Sequence, residues 1–265
     1  MARLPSFLLL AAAVALPACR SSAPEPERSS PDAAVVWVHV TTADGEEGRC
    51  TGVVVAPHLV LTAAHCLSLQ AVGRHPSFEL SLDLGLGGDS DNPVRATHRV
   101  AVAATTWDPA FDANVLPRGH DVGLVMARTP LGVAPPAVNR KPLPLGIEVG
   151  RLIGYGIASA SVAGPEDGEG GEGGEGGVRR TLPVRLRGAG ERFIDLDGGQ
   201  AQPCAGDSGG PVLARLVAGG PEVVVGIVSY GDAGCRRGAL VTNIATYADY
   251  LRDFLARDAI PATAH

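Results

Sequence analysis

Aromatic residues make up only 4% of this 265-residue chain, and charged residues only 19%. Few aromatics beside 35 glycines and 21 prolines disfavour long helices and favour many short strands joined by turns. Few charges beside 45% hydrophobic residues exclude wholesale disorder. There is no basic excess: 22 Lys and Arg face 28 Asp and Glu, for a formal charge of −6, which excludes a broad nucleic-acid footprint. No apolar run approaches the ~18 residues that a membrane-spanning helix needs. Lysine is almost missing, with Lys141 alone among the bases, a coding bias that points to a high-GC bacterial genome. What remains is a chain long enough for one large domain or two small ones, with a core that needs no metal to fold.

The acidic balance is local. Glu166, Asp167, Glu169, Glu172 and Glu175 all fall in residues 164–177, GPEDGEGGEGGEGG. Removing those five from 28 leaves 23 acids against 22 bases. Such a segment has no apolar area to offset ordering entropy, so a solvated, disordered loop is expected. A divalent-cation or partner-binding loop is the sharper alternative, weakened by the glycines between its carboxylates.

The N-terminus has the layout of an export signal. Arg3 precedes a ten-residue apolar run, FLLLAAAVAL, which ends at Leu16-Pro17-Ala18-Cys19. This resembles a bacterial lipobox, with residues 1–18 removed and lipid carried on Cys19. An ordinary secretory signal is the alternative, and Pro17 is unusual for a lipobox. Residues 19–33 are then a lipid-anchored tether rich in Pro and Ser. Arg20 after the cysteine is not the inner-membrane retention aspartate, which favours the outer membrane of the cell envelope. The five cysteines fit export: with Cys19 assigned to lipid, four remain. Their spacing suggests Cys50–Cys66 and Cys204–Cys235. A zinc site is the alternative, but no pair has short ligand spacing. No metal and no cofactor are expected. Asp83, Asp89 and Asp91 sketch a calcium loop that turn chemistry explains better.

Strand patterns run over 35–41, 52–56, 59–62, 100–105 and 122–127, then over 151–155, 181–186, 192–196, 211–216 and 222–229. The Pro-rich stretch 129–146 reads as a connection between two halves. Ile244, Tyr247, Leu251 and Leu255 recur at helical spacing, which predicts a short C-terminal helix. The pattern suits β-barrels or a sandwich.

Three segments carry chemistry. Leu61-Thr62-Ala63-Ala64-His65-Cys66 ends a strand in small residues that present an imidazole. His120-Asp121-Val122-Gly123 places an acid at the mouth of an apolar strand. Cys204-Ala205-Gly206-Asp207-Ser208-Gly209-Gly210-Pro211 sets a serine among glycines, where a sharp turn can aim successive N–H groups at one point. Chance would produce GDSGGP in a chain this long on the order of a few times in a million. Together, in the order His, Asp, Ser, these segments resemble the trypsin/chymotrypsin family of serine peptidases. The resemblance covers about residues 34–257.

The resemblance implies an all-β domain at 34–258. It comprises two six-stranded antiparallel barrels, about 34–133 and 134–245, and a C-terminal helix at about 244–257. It implies Ser208 as nucleophile, His65 as general base and then acid, and Asp121 as the group that orients the imidazole. Asp108 and Asp112 are rival acids, but neither leads into an apolar strand. The N–H groups of Gly206 and Ser208 would form an oxyanion hole. Gln202 would sit at the base of the primary specificity pocket, and Ser229, Tyr230 and Gly231 would line the cleft. A neutral amide at Gln202 gives no counter-charge for Arg or Lys, so trypsin-like specificity is not expected.

The sequence departs from the family at its activation device. The family frees an Ile-Val-Gly-Gly-like N-terminus whose amine pairs with the acid before the serine, here Asp207. No such segment precedes Cys50. Arg151, just before Gly154-Tyr155, resembles the arginine that replaces the amine in the α-lytic protease branch. An Arg151–Asp207 ion pair is therefore expected. The overall expectation is an exported, monomeric serine endopeptidase acting on protein or peptide substrates and held at the membrane by lipid on Cys19. The alternatives are a catalytically silent lipoprotein that uses the same fold for binding, and hydrolysis of other acyl groups by the same machinery.

Overall fold

The computed structural model describes residues 30–68, 76–82, 98–115, 119–157, 178–199, 202–232 and 234–258. Cys19, Asp83, Asp89, Asp91 and the acidic stretch 164–177 lie outside the described residues. The first half is a closed barrel. Its strands are β1 (Val35–Thr41), β2 (Glu47–Ala56), β3 (Leu59–Thr62), β4 (Ser77–Leu82), β5 (His98–Trp107) and β6 (Gly123–Ala127). They pair in the order β1-β2-β3-β6-β5-β4, with β4 returning to β1. In β1 the period-2 rule is visible: Val36, Val38 and Val40 are buried while Trp37, His39 and Thr41 are only partly so. The apolar ends of β2 and β3 are buried on both faces, and β2 also meets the second half.

The second half holds β7 (Ala137–Val138), β8 (Val149–Gly154), β9 (Arg180–Ala189), β10 (Phe193–Asp197), β11 (Pro211–Arg215), β12 (Glu222–Gly231) and β13 (Ala239–Asn243). Six of these run β11-β8-β9-β10-β13-β12, and a β11–β12 pairing closes the ring; β7 adds a short parallel edge to β12. Two six-stranded antiparallel barrels were expected and are found. The Pro-rich connection carries β7, because two residues of ladder need no periodic pattern to form. β4 and β13 also escaped the sequence reading: ALVTN is short and does not alternate, whereas SFELSL alternates strictly and was overlooked.

The barrels share an apolar seam. Ile153, Tyr155, Leu213 and Ile227 of the second barrel belong to the same buried cluster as the core of the first. The expected helix begins later than its spacing suggested. Residues Ile244–Tyr247 form a 3-10 turn capped by Asn243, and the α-helix α1 covers Ala248–Asp258. Ile244, Tyr247 and Leu251 are buried against the seam. The apolar spacing is common to both helix types, so it marks the buried face and not the boundary.

Candidate active site

His65 lies on a 3-10 turn, Ala64–Cys66, immediately after β3. Ala63 and Ala64 are buried against Gly123, where a Cβ would come within 2.8 Å of Leu67 and 3.3 Å of Ala63 and Ala64. The Cys50–Cys66 disulfide ties the turn to β2, with the Cα atoms 6.3 Å apart. Asp121, just before β6, is completely buried. Its Oδ1 accepts the backbone N–H of His65 at 2.9 Å, and its Oδ2 lies 2.8 Å from His65 Nδ1. A carboxylate only accepts, so Nδ1 carries the hydrogen and Nε2 is left as the acceptor. The rival acids sit elsewhere: Asp108 faces His120 Nδ1 at 3.4 Å, and Asp112 accepts from Asn114.

Asp121 is also gripped by the second barrel. Ser229 on β12 donates its hydroxyl to Oδ2 at 2.6 Å, and Thr242 on β13 donates to the Asp121 carbonyl at 3.1 Å. Before it, His120 adopts a left-handed φ of 65° and donates its N–H to the Tyr247 hydroxyl at 2.7 Å. The chain is thus bent sharply to aim the carboxylate inward. Ser229 was expected to line a substrate cleft. Its side chain is turned to Asp121.

Ser208 lies in the loop between Cys204 and β11. The Ser208 carbonyl accepts from Thr51 N at 2.7 Å and is 4.0 Å from Cys66 Sγ, which brings the serine beside the His65 turn. Gly206 and Gly209 have φ of 94° and 79°, a left-handed backbone that other residues resist. Among the described residues no acceptor meets the N–H of Gly206 or of Ser208. The Thr51 hydroxyl fastens this loop to barrel one. It donates to the Gly206 carbonyl at 2.7 Å and accepts from Tyr155 N at 3.0 Å. Sequence reasoning missed Thr51, because its partners lie more than 100 residues away. The Cys204–Cys235 disulfide closes the loop from the other side. Both expected pairings are present, so the sulfurs clustered near His65 are bonded to each other and offer no thiolate to a metal.

The expected Arg151–Asp207 ion pair is not formed. Arg151 forks onto Glu222, with Nε and Nη2 at 2.9 and 2.8 Å from its oxygens, and Nη2 also lies 2.6 Å from Asp32. The reason is strand parity. The Asp207 carboxylate lies over Gly154 and Gly156, where a Cβ would collide with it. Arg151 is three residues before Gly154, so it projects from the opposite face of β8. The cation at Asp207 is Arg180, the register partner of Gly154 across the β8–β9 ladder, with Nη2 at 3.5 Å. Asp207 also accepts Gly156 N at 2.8 Å and Cys204 N at 2.9 Å. Burial pushes its carboxyl above the usual range, against the pull of those N–H groups and Arg180. The Gly-x-Gly at 154–156 is the sequence signal that could have located this cradle.

Gln202 is buried, and its amide is already committed. Oε1 accepts from Gly198 N at 3.1 Å, while Nε2 donates to Asp197 at 3.1 Å and to the Gly199 carbonyl at 2.8 Å. Tyr230 is half exposed, and Gly231 closes β12 opposite Ala239. No helix among the described residues is long and apolar enough to cross a membrane.

Comparison with known proteins agrees with this geometry. The family model "Trypsin" matches residues 27–255. Human serine protease 56 is 28% identical over 241 residues, covering 85% of this chain but 37% of that protein. Human kallikrein-15 is 28% identical over 243 residues, covering 80% of this chain and 84% of the relative. Phenoloxidase-activating enzyme 1 of Spodoptera litura is 28% identical, covering 78% and 59%. Among solved structures, one described as "Structure of GrC" superposes with a TM-score of 0.62 at 16% identity, over 86% of this chain and 96% of its own. The chain belongs to the trypsin family of serine peptidases.

Proposed function

We propose that the chain is an exported serine endopeptidase that cleaves peptide bonds through Ser208, His65 and Asp121 by way of an acyl-enzyme. The observation that carries this reading is the buried Asp121 carboxylate, which holds both the ring and the backbone of His65. With Nδ1–H fixed on Asp121, Nε2 accepts the Ser208 proton as the hydroxyl attacks the scissile carbonyl. The same nitrogen then protonates the leaving amine, and water enters to release the acyl group. The Gly206 and Ser208 N–H groups, which lack protein acceptors among the described residues, receive the developing oxyanion at roughly 3 kcal/mol per donor. The end of β12 at Tyr230 and Gly231 pairs with an extended peptide. The neutral, internally bonded Gln202 leaves no counter-charge for a basic side chain, so uncharged residues are preferred before the cleaved bond.

The leader at 1–18 directs export, and lipid on Cys19 tethers the domain to the bacterial cell envelope through residues 20–33. The reading is tested with a fluorophosphonate probe and intact mass, beside cleavage of a fluorogenic peptide library. One adduct on the wild type, none on Ser208→Ala, and peptide turnover abolished by the same substitution are expected. A folded wild type that neither takes the probe nor cleaves any peptide overturns it.

A further inference from the structure

Asp207 poses a problem that the triad does not answer. It is 1% exposed and directly precedes Ser208. A buried carboxylate needs a cation or it destabilises the loop that holds it. The described residues nearest the N-terminus are committed to other partners. Asp32 is bound through its carbonyl to Arg179 at 3.0 Å and through its carboxylate to Arg151. Ala33 and Ala34 are buried, and Val35 is already paired with Val53 in β1–β2. Residues 32–35 are therefore already packed and paired.

Arg180 sits where the cation is needed. Besides its approach to Asp207, its Nη2 donates to the Ile157 carbonyl at 2.5 Å. Ile157 N in turn donates to the Ala205 carbonyl at 2.9 Å, and Gly156 N donates to Asp207. Residues 154–157 and Arg180 thus form one cradle that touches the serine loop at Ala205 and at Asp207. The arrangement is built by the β8–β9 register, which sets Arg180 across from the side-chain-free Gly154.

We infer that Arg180 is the positioning residue that assembles the Ser208 loop through Asp207, so that the uncut chain already has its oxyanion-binding N–H groups in place. The inference rests on the peptidase reading for its consequence, but not for its geometry. Arg180 acts through Asp207 and touches no substrate.

The test uses the full chain, with intact mass confirming that residues 30–36 are unbroken. Hydrogen exchange of peptides covering 204–210 and the rate of fluorophosphonate labelling are measured for wild type, Arg180→Ala and Arg180→Lys. In Arg180→Ala the loop is expected to exchange about tenfold faster while the β1–β2 peptides keep their protection. Labelling is expected to slow about 100-fold, the scale of losing one oxyanion donor. Arg180→Lys, or guanidinium added to Arg180→Ala, should restore part of both. Rescue by guanidinium would show that the cation itself, and not the packing of the arginine side chain, holds the loop. Unchanged exchange at 204–210 in Arg180→Ala overturns the inference, as does a wild type labelled only after cleavage near residue 34. A wild type that resists labelling but shows Arg180-dependent protection supports the ion pair and refutes the peptidase reading. Should Arg180→Ala fail to fold, the double variant Arg180→Met, Asp207→Leu removes both charges. Labelling of that folded variant at the wild-type rate also overturns the inference.

Discussion

Replacing Thr51 by valine keeps the branched shape and deletes one hydroxyl, so the consequence can be worked from two hydrogen bonds. Thr51 Oγ1 donates to Gly206 O at 2.7 Å and accepts from Tyr155 N at 3.0 Å. Tyr155 is 1% exposed, so its N–H would find no water; Gly206 is only partly buried, so its carbonyl regains some. At about 1–3 kcal/mol for a stranded buried group and less for the half-solvated one, the loss is about 3 kcal/mol. For a domain of this size that is a fall of ~6–12 °C in Tm. The loop should also loosen at Gly206, whose N–H is an oxyanion donor in the proposed mechanism. A misplaced donor costs less than a missing one, so kcat should fall about tenfold with KM little changed. Thr51→Ser retains the hydroxyl and should stay within about 1 kcal/mol and about twofold in kcat. Thermal unfolding and steady-state peptide cleavage read both effects. A valine variant with wild-type Tm and kcat would refute the reasoning. A serine variant as damaged as valine would show that the methyl packed near Gly210 fastens the loop as much as the hydroxyl does.

The other predictions address different parts of the molecule. Asp121→Asn should lower kcat about 10⁴-fold while the protein stays folded. Ser229→Ala removes a hydrogen bond to a buried charge and should cost about 1.5–3 kcal/mol in urea unfolding, with slower probe labelling. Changing both Cys204 and Cys235 to serine opens a link with a sequence separation of 31 and should cost roughly 3.5–4 kcal/mol by the chain-entropy relation. Arg151→Ala should leave turnover intact and lower stability by about 1–2 kcal/mol at neutral pH. Its hydrogen bonds hold Glu222 below the ordinary value of 4.5, so the stability gap between wild type and variant is present above pH 4.5 and closes as pH falls through the lower folded value. Cys19→Ser should abolish metabolic incorporation of labelled palmitate; incorporation that survives the substitution would remove the proposed anchor.

Contiguous motifs carried most of what the sequence could say about the site. TAAHC, HDVGLV and CAGDSGGP each encode a local backbone shape, so His65, Asp121 and Ser208 could be named without knowing the fold. The cysteines paired as spacing suggested because each bridge spans a short stretch that turns back on itself. The residues that escaped are those whose meaning depends on long-range register. Thr51 reads as an ordinary strand threonine until β2 is laid against the serine loop. Arg180 reads as one arginine of a pair at the edge of an acidic glycine tract until the β8–β9 ladder sets it opposite Gly154. Arg151 was the converse error: its distance from Gly154-Tyr155 along the chain looked right, but an odd offset on a strand faces the wrong way. The family likeness identified which acid needs a cation, while only the sheet register could say which cation reaches it. That division has a physical cause. Nucleophile, base and oxyanion donors must be near one another to within tenths of an ångström, and tight turns achieve this with a few adjacent residues. A compensating charge needs only to be close and desolvated, so any strand that passes the buried carboxylate can supply it. Motifs of that kind are therefore constrained in sequence, whereas a compensating charge can come from any strand that passes the carboxylate, the role proposed here for Arg180.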